Sequence, residues 1–152
     1  MSSTSATANL WFVDTNVLLY TLDTANPSKQ AAALKWRDFL WEHQAGRLSW
    51  QVLNEFYANA AGKTGAPPAM ARAIVESYSL WQVSTFSLAL LRRAWHWTDS
   101  AQLNYWDALI LASAERSGCR WLLSEDFQDG RKYGAVQAVN PFRTEPNALF
   151  RT

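Results

Sequence analysis

Apolar residues fall into two patterns along this chain. Two short continuous runs, Leu10-Trp11-Phe12-Val13 and Trp121-Leu122-Leu123, are each followed directly by small polar and acidic residues. Runs of that length read as strands buried on both faces, as in a parallel sheet. Elsewhere the apolar positions recur at helical spacing. Val17 to Tyr20 opens a short helix. Asn26-Pro27-Ser28 starts a second that reaches His43, carries Ala32, Trp36, Phe39 and Leu40 on one side, and stops near Gly46. A third runs from Trp50 to about Ala61 behind Ser49, with Val52, Phe56 and Ala60 as its stripe and Glu55 at the stripe's border. Gly62-Lys63-Thr64-Gly65 breaks it.

Pro67-Pro68 opens a helix to about Tyr78, and Trp81 to Ser84 is a weak strand candidate. Ser87 caps a helix to about Ala101 whose apolar positions are Leu88, Leu91 and Trp95. Asn104 caps the next, from Tyr105 to Ser117, which Gly118 ends. Val136 to Val139 is a last strand, closed by Pro141, and the residues from Arg143 onward show no period and are expected to be loosely held. Strands alternating with helices predict an α/β domain on a parallel sheet, joined by right-handed crossovers.

Composition narrows this picture only a little. With 152 residues, 49% apolar and 18% charged, the chain can bury one ordinary core of a single domain. Nine tryptophans are too many to expose, so most must fill that core. A net charge of +1 announces no strong nucleic-acid field. Cys119 stands alone, which rules out an intramolecular disulfide and a cysteine-built zinc site. No apolar stretch nears the ~20 residues of a membrane span, and the first eight residues lack the basic and apolar segments of a signal peptide. The expectation is a cytoplasmic protein.

Four acids stand out by position. Asp14 and Asp126 follow the two clearest strands, Glu55 borders a helical stripe, and Asp107 lies in the first turn of a helix. In open α/β sheets ligands bind at the carboxyl edge of the strands, where these acids could converge. Such a cluster needs a cation, since neighbouring carboxylates raise one another's pKa. A hard divalent ion with oxygen ligands answers that need, and its bound water can attack a phosphodiester. Asn16 and Ser124 could orient the carboxylates or waters. Each acid also has a plain reading: Asp14 and Asp126 as loop caps, Asp107 as a partner of its helix dipole, Glu55 as an ion-pair acid.

Other chemistry is thinner. His43 and His96 have no partner motif, so a Ser-His-Asp triad is unsupported. The Gly62–Gly65 cluster lacks the form of a phosphate loop. Arg92-Arg93, Arg116, Arg120 and Arg131-Lys132 could rim a phosphate site, and Trp50, Trp97 and Trp106 could stack on bases. A solvated surface for the former and a core role for most of the latter are the simpler expectations.

Four segments in order, Val13 to Leu18, Ser49 to Tyr57, Tyr105 to Leu111 and Leu122 to Gly130, followed by Asn140-Pro141-Phe142, resemble the PIN-domain ribonucleases. Within that family they look specifically like the VapC type, toxins of bacterial type II toxin–antitoxin pairs. The resemblance covers about Leu10 to Phe142, which sets a PIN-like domain at 9–142, a flexible N-terminus at 1–8 and a tail at 143–152. It implies a three-layer α/β/α fold with a central parallel sheet. It further implies an endoribonuclease using Mg²⁺ or Mn²⁺ at Asp14, Glu55, Asp107 and Asp126, an RNA substrate, a cognate antitoxin covering the groove, and a homodimer. Ser124 stands where the family's last motif often has threonine, and Glu125 and Asp129 compete with Asp126 for the fourth place. A strand continuing past Leu123 would turn Glu125 to the opposite side. An aspartyl-nucleophile phosphatase is one alternative, although Asn16 stands where its second aspartate belongs. A non-catalytic PIN-fold module binding RNA or protein is the other.

Overall fold

The computed structural model describes residues 9–150. Strand β1 (Trp11–Val13) leads through α1 (Thr15–Tyr20) and α2 (Pro27–His43) to β2 (Gly46–Arg47). Helices α3 (Trp50–Thr64), α4 (Pro68–Tyr78), α5 (Leu88–Ala101) and α6 (Tyr105–Arg116) follow before β3 (Trp121–Leu123). A hairpin of β4 (Lys132–Tyr133) and β5 (Val136–Val139) and a short α7 (Pro146–Phe150) complete the chain.

The five strands form one sheet in the order β2-β1-β3-β5-β4. β1 pairs in parallel with β2 and β3, and β3 in parallel with β5. Only β4 runs antiparallel, against β5. The sheet is thus mostly parallel and flanked by helices. Successive residues of a strand face opposite sides of a sheet. Trp11 and Phe12 are adjacent and both fully buried, so helices cover both faces of β1. On the Trp11 side, the indole stacks on Trp121 with ring centroids 4.4 Å apart and meets Trp36 of α2 at 4.7 Å. This aromatic block joins the two central strands to a helix that covers them. Of the nine tryptophans, Trp11, Trp36, Trp81, Trp97 and Trp121 are buried.

From β1 the chain crosses to β2 on one side, and from β2 it returns past β1 to β3 on the other. The strand order therefore reverses between β1 and β3. At such a point the connections leave the carboxyl edge in opposite directions and open a crevice.

Several sequence expectations need correction. Gly46 does not stop α2. The stop is Gln44, which takes the left-handed φ of 52°, while Gly46 sits in β2 where a Cβ would collide with the Trp81 ring. Helix α3 continues through Gly62 and ends at Thr64, because it is Gly65 that adopts the left-handed conformation, with φ 74°. On α2, Ala33 rather than Ala32 joins Trp36, Phe39 and Leu40 in the core. The Trp81–Ser84 segment makes a single bridge, Ser84 to Ser49, and no strand.

Helix α5 buries a different face from the expected one. Leu90, Ala94 and Trp97 pack inward, while Leu88 and Trp95 remain 55% and 49% exposed. Two apolar stripes at helical spacing coexist on this helix, and the small Ala94 selects the one that can lie close to α6. The tail is also anchored as far as it is described. The Trp36 indole N–H donates to the Pro141 and Thr144 carbonyls at 3.1 Å, and Leu149 packs against the core. The expectation of a flexible segment at residues 1–8 lies outside the described residues.

Candidate active site

Asp14 leaves β1 in an extended conformation and caps α1, with Oδ1 accepting from the Thr15 amide at 2.8 Å. Its other oxygen, Oδ2, accepts from the Ser124 hydroxyl at 2.7 Å and from the Asn16 side-chain amide at 3.2 Å. The side chain is a cap and a member of the acid cluster at once, because the strand end and the helix start coincide. Only 5% of Asp14 is exposed. Burial lifts its carboxyl from 3.8 to about 7, against the opposing hydrogen bonds of Ser124 and Thr15 and with smaller contributions from Asp126 and Asp107.

Asn16 ties the two central strands' ends together. Its Nδ2 lies 3.1 Å from Asp126 Oδ2 and 3.2 Å from Ser124 Oγ, and its Oδ1 accepts from the Glu125 amide at 3.3 Å. Ser124 is fully buried and in turn accepts from the Asp126 amide at 3.0 Å. The hydroxyl and the amide therefore set where Asp14 and Asp126 point.

The helices bring the remaining acids. Ser49 caps α3 by accepting from the Val52 amide, which starts the helix so that Glu55 falls one and a half turns in. Glu55 Oε1 accepts from the Thr15 hydroxyl at 2.9 Å. Asn104 caps α6 reciprocally: its Oδ1 accepts from the Asp107 amide at 2.9 Å and its Nδ2 donates to Asp107 Oδ2 at 2.8 Å. Asp107 is half-buried, and burial raises its carboxyl above the ordinary value, aided by Asp126 and Glu55.

Asp14, Glu55, Asp107 and Asp126 line one pocket of about 210 Å³ at the strand-order reversal, together with Asn16. The competing acids point elsewhere. Glu125 accepts from the Tyr20 hydroxyl and pairs with Lys29, both at 2.7 Å, and this ion pair holds its carboxyl below the usual range although burial alone would raise it. Asp129 accepts from the Asn140 amide at 2.8 Å, closing the loop before the last strand's end. The Asn140-Pro141-Phe142 motif belongs to the same corner, with Phe142 edge-on to Tyr20.

The residues of the pocket suit a hard cation. Every acid donor is a carboxylate oxygen, and none of the four acids enters an ion pair among the described residues. Asp14 and Asp107 are lifted in pKa chiefly by burial and further by other carboxylates of the pocket, the condition a divalent ion relieves. Among the described residues no three of these acids are already gathered closely enough to hold one ion directly, so an ion here would be held partly through waters, as magnesium commonly is.

The basic and aromatic candidates divide sharply. None of Arg92, Arg93, Arg116, Arg120, Arg131 or Lys132 lines the acid pocket. Arg93 pairs with Glu115, and Arg120 and Arg131 lie over the Trp121 and Tyr133 rings. Trp97 is buried and donates to Glu115, Trp50 lies outside the pocket, and Trp106 lines it. His43 and His96 are exposed and outside it. Several lining residues escaped the sequence reading, among them Thr15, Gln51, Asn59 and Lys63. Gln51, Glu55, Asn59 and Lys63 recur every four residues on one face of α3, a polar stripe that helical spacing could have revealed, and Lys63 lies beyond the expected break.

A family model described as PIN domain matches residues 11–131, and the chain belongs to the PIN domain family. No curated protein matches the chain. PIN domains are in general a metal-dependent nuclease fold; they usually bind Mg²⁺ or Mn²⁺, and PIN nucleases bind RNA. No helix among the described residues is long and apolar enough to cross a membrane.

Proposed function

We propose that the protein is an endoribonuclease that hydrolyses RNA phosphodiester bonds with Mg²⁺ or Mn²⁺ held by Asp14, Glu55, Asp107 and Asp126. The observation that carries this reading is the gathering of four carboxylates around one pocket with no ion-pair partner for any of them. A bound divalent ion supplies positive charge at the phosphorus centre and lowers the pKa of a water to make it a nucleophile. The chain's own residues do the rest. Asp14 is pre-aimed by the Ser124 hydroxyl, the Asn16 amide and the Thr15 amide, and Asp126 is aimed by Asn16. Asp107 is held by Asn104 and Glu55 by Thr15, so each acid is fixed before ligand arrives. With its pKa near 7, Asp14 passes from carboxylic acid to carboxylate across the neutral range, so the full ligand charge develops there.

The order of the motifs from Asp14 to Asp126 supports a finer reading. The protein is the toxin of a toxin–antitoxin pair, acts in the cytoplasm as a homodimer, and is silenced by a cognate antitoxin over the groove. The phosphatase alternative is disfavoured by Asn16: its amide is engaged with Asp14, Ser124 and Asp126 and supplies no acid. A purely binding module leaves the unneutralised acids without a purpose.

Cleavage of a panel of structured and single-stranded RNAs tests the reading, with wild type and Asp14→Asn assayed in Mg²⁺ and in chelator. Wild type cleaves only with the ion. Asp14→Asn is slower by at least about a hundredfold, since even partners that merely orient a ligand cost 10–100-fold. Equal, metal-independent activity of both proteins refutes it.

A further inference from the structure

Two of the pocket's lining residues have no use in holding a cation. Trp106 stands in the first turn of α6 immediately before Asp107 and is 60% exposed. Its position is nevertheless fixed. The Gln51 side-chain amide donates to the Trp106 carbonyl at 3.3 Å, and the Tyr105 ring meets the indole at 5.3 Å and 66°. Gln51 is itself 6% exposed, so this tie between α3 and α6 is made inside the protein. A large aromatic face is therefore presented at the mouth of a polar pocket by a constrained backbone.

Lys63 is the one basic residue lining the pocket, and it takes part in none of the ion pairs among the described residues. It also lines an adjoining cavity of about 240 Å³, which shares Asn16, Leu19 and Asp126 with the acid pocket and extends to Tyr20 and Glu125. The two cavities adjoin through these shared residues as one trough, which Lys63 lines in both parts and Trp106 only in the acid pocket.

We infer that this trough is a track for single-stranded RNA, in which an unpaired base stacks on Trp106 and a backbone phosphate contacts Lys63. The inference rests on the nuclease reading for the identity of the polymer. Single strands are selected because the indole can receive only a base that has left its own stack, whereas an A-form duplex keeps its bases inside. Lys63 answers the remaining electrostatic need: it draws a polyanion to a pocket whose other charges repel it.

The test is fluorescence anisotropy with a labelled RNA octanucleotide of mixed sequence, and with a labelled RNA duplex, in an Asp14→Asn background that prevents cleavage. Trp106→Ala weakens single-strand binding about tenfold and leaves the duplex unaffected, while Trp106→Phe stays within about threefold of the parent. Lys63→Gln reduces the slope of log affinity against log salt by about 0.7, and Lys63→Arg preserves it. In protein that retains Asp14, the same changes raise KM and leave kcat near its starting value. Single-strand binding that ignores either alanine or glutamine replacement overturns that residue's part in the track, and absence of any RNA binding overturns the whole. If RNA is cleaved while neither replacement matters, the track fails and the nuclease reading stands. If binding depends on both residues but no RNA is cleaved, the track stands and the nuclease reading fails.

Discussion

Carboxylates are treated in opposite ways at two places in this molecule. Along the seam between α5 and α6, Glu115 receives both branches of the Arg93 guanidinium, at 2.9 and 2.8 Å, and the Trp97 indole N–H at 2.7 Å. Its charge is met by charge, and the arrangement is complete without any ligand. At the carboxyl edge of the sheet, four acids share a pocket and are held only by neutral hydroxyls and amides. Neutral donors fix direction without cancelling charge. The first arrangement holds two helices together; the second leaves negative charge uncompensated where a cation can enter.

The contrast can be broken most strongly through pH. Asp14 has its ordinary value of 3.8 in the unfolded chain and about 7 in the folded one. Because the folded value is raised, the group weakens folding progressively as pH climbs from about 4 to about 7, with no further change above. Between pH 5 and pH 8 this amounts to about 2 to 3 kcal/mol of lost stability in the absence of divalent ions. Urea unfolding in chelator reads it directly. Asp14→Asn removes that part of the dependence, and added Mg²⁺ at pH 8 recovers stability in wild type alone. Wild-type stability that is level from pH 5 to pH 8, or that moves identically in Asp14→Asn, places no unmet charge at Asp14.

A smaller effect separates the two acids that follow β3. Asp126→Asn slows RNA cleavage about tenfold or more, because it removes a carboxylate from the pocket wall. Glu125→Gln leaves the rate within about threefold, since Glu125 is occupied by Lys29 and Tyr20. The reverse ranking would move the fourth acid to Glu125. The smallest effect falls at the helix seam. Glu115→Gln costs about 1 kcal/mol in thermal or urea unfolding, a figure held down by solvent around the partly exposed Arg93. It leaves cleavage per folded molecule unchanged. Loss of activity in folded Glu115→Gln protein would show that the two regions are not independent.

Much of this contrast is written locally in the chain. The short runs at Trp11 and Trp121 are strands because both their faces are covered, and the acids after them follow from that position. Ser49, Ser87 and Asn104 cap the helices they precede, since capping depends on neighbours a few residues away. Partnership across the fold is less legible. Nothing near Glu125 in sequence announces Lys29, and nothing near Arg93 announces Glu115. The arginine rim that the sequence allowed does not line the pocket: Arg93 is taken by Glu115 across the helix seam, while Arg120 and Arg131 lie over the rings of their chain neighbours Trp121 and Tyr133. The face of α5 is unreadable for another. Two stripes of equal period run along it, and only contact with α6 chooses. Gln51 and Asn59 share a polar face with Glu55 that the neighbouring apolar stripe overshadowed, and Lys63 on the same face lay beyond a misplaced helix end.

The most direct test of an uncompensated acid pocket is calorimetric titration of Mn²⁺ into wild type and Asp14→Asn at pH 7.5, in buffers of different ionisation enthalpy. Wild type is expected to bind the ion with release of protons, because occupancy favours the charged form of a carboxyl that otherwise titrates near 7. Asp14→Asn binds at least about tenfold more weakly and without that release. Equal affinity in the two proteins, or no binding to wild type, contradicts the account.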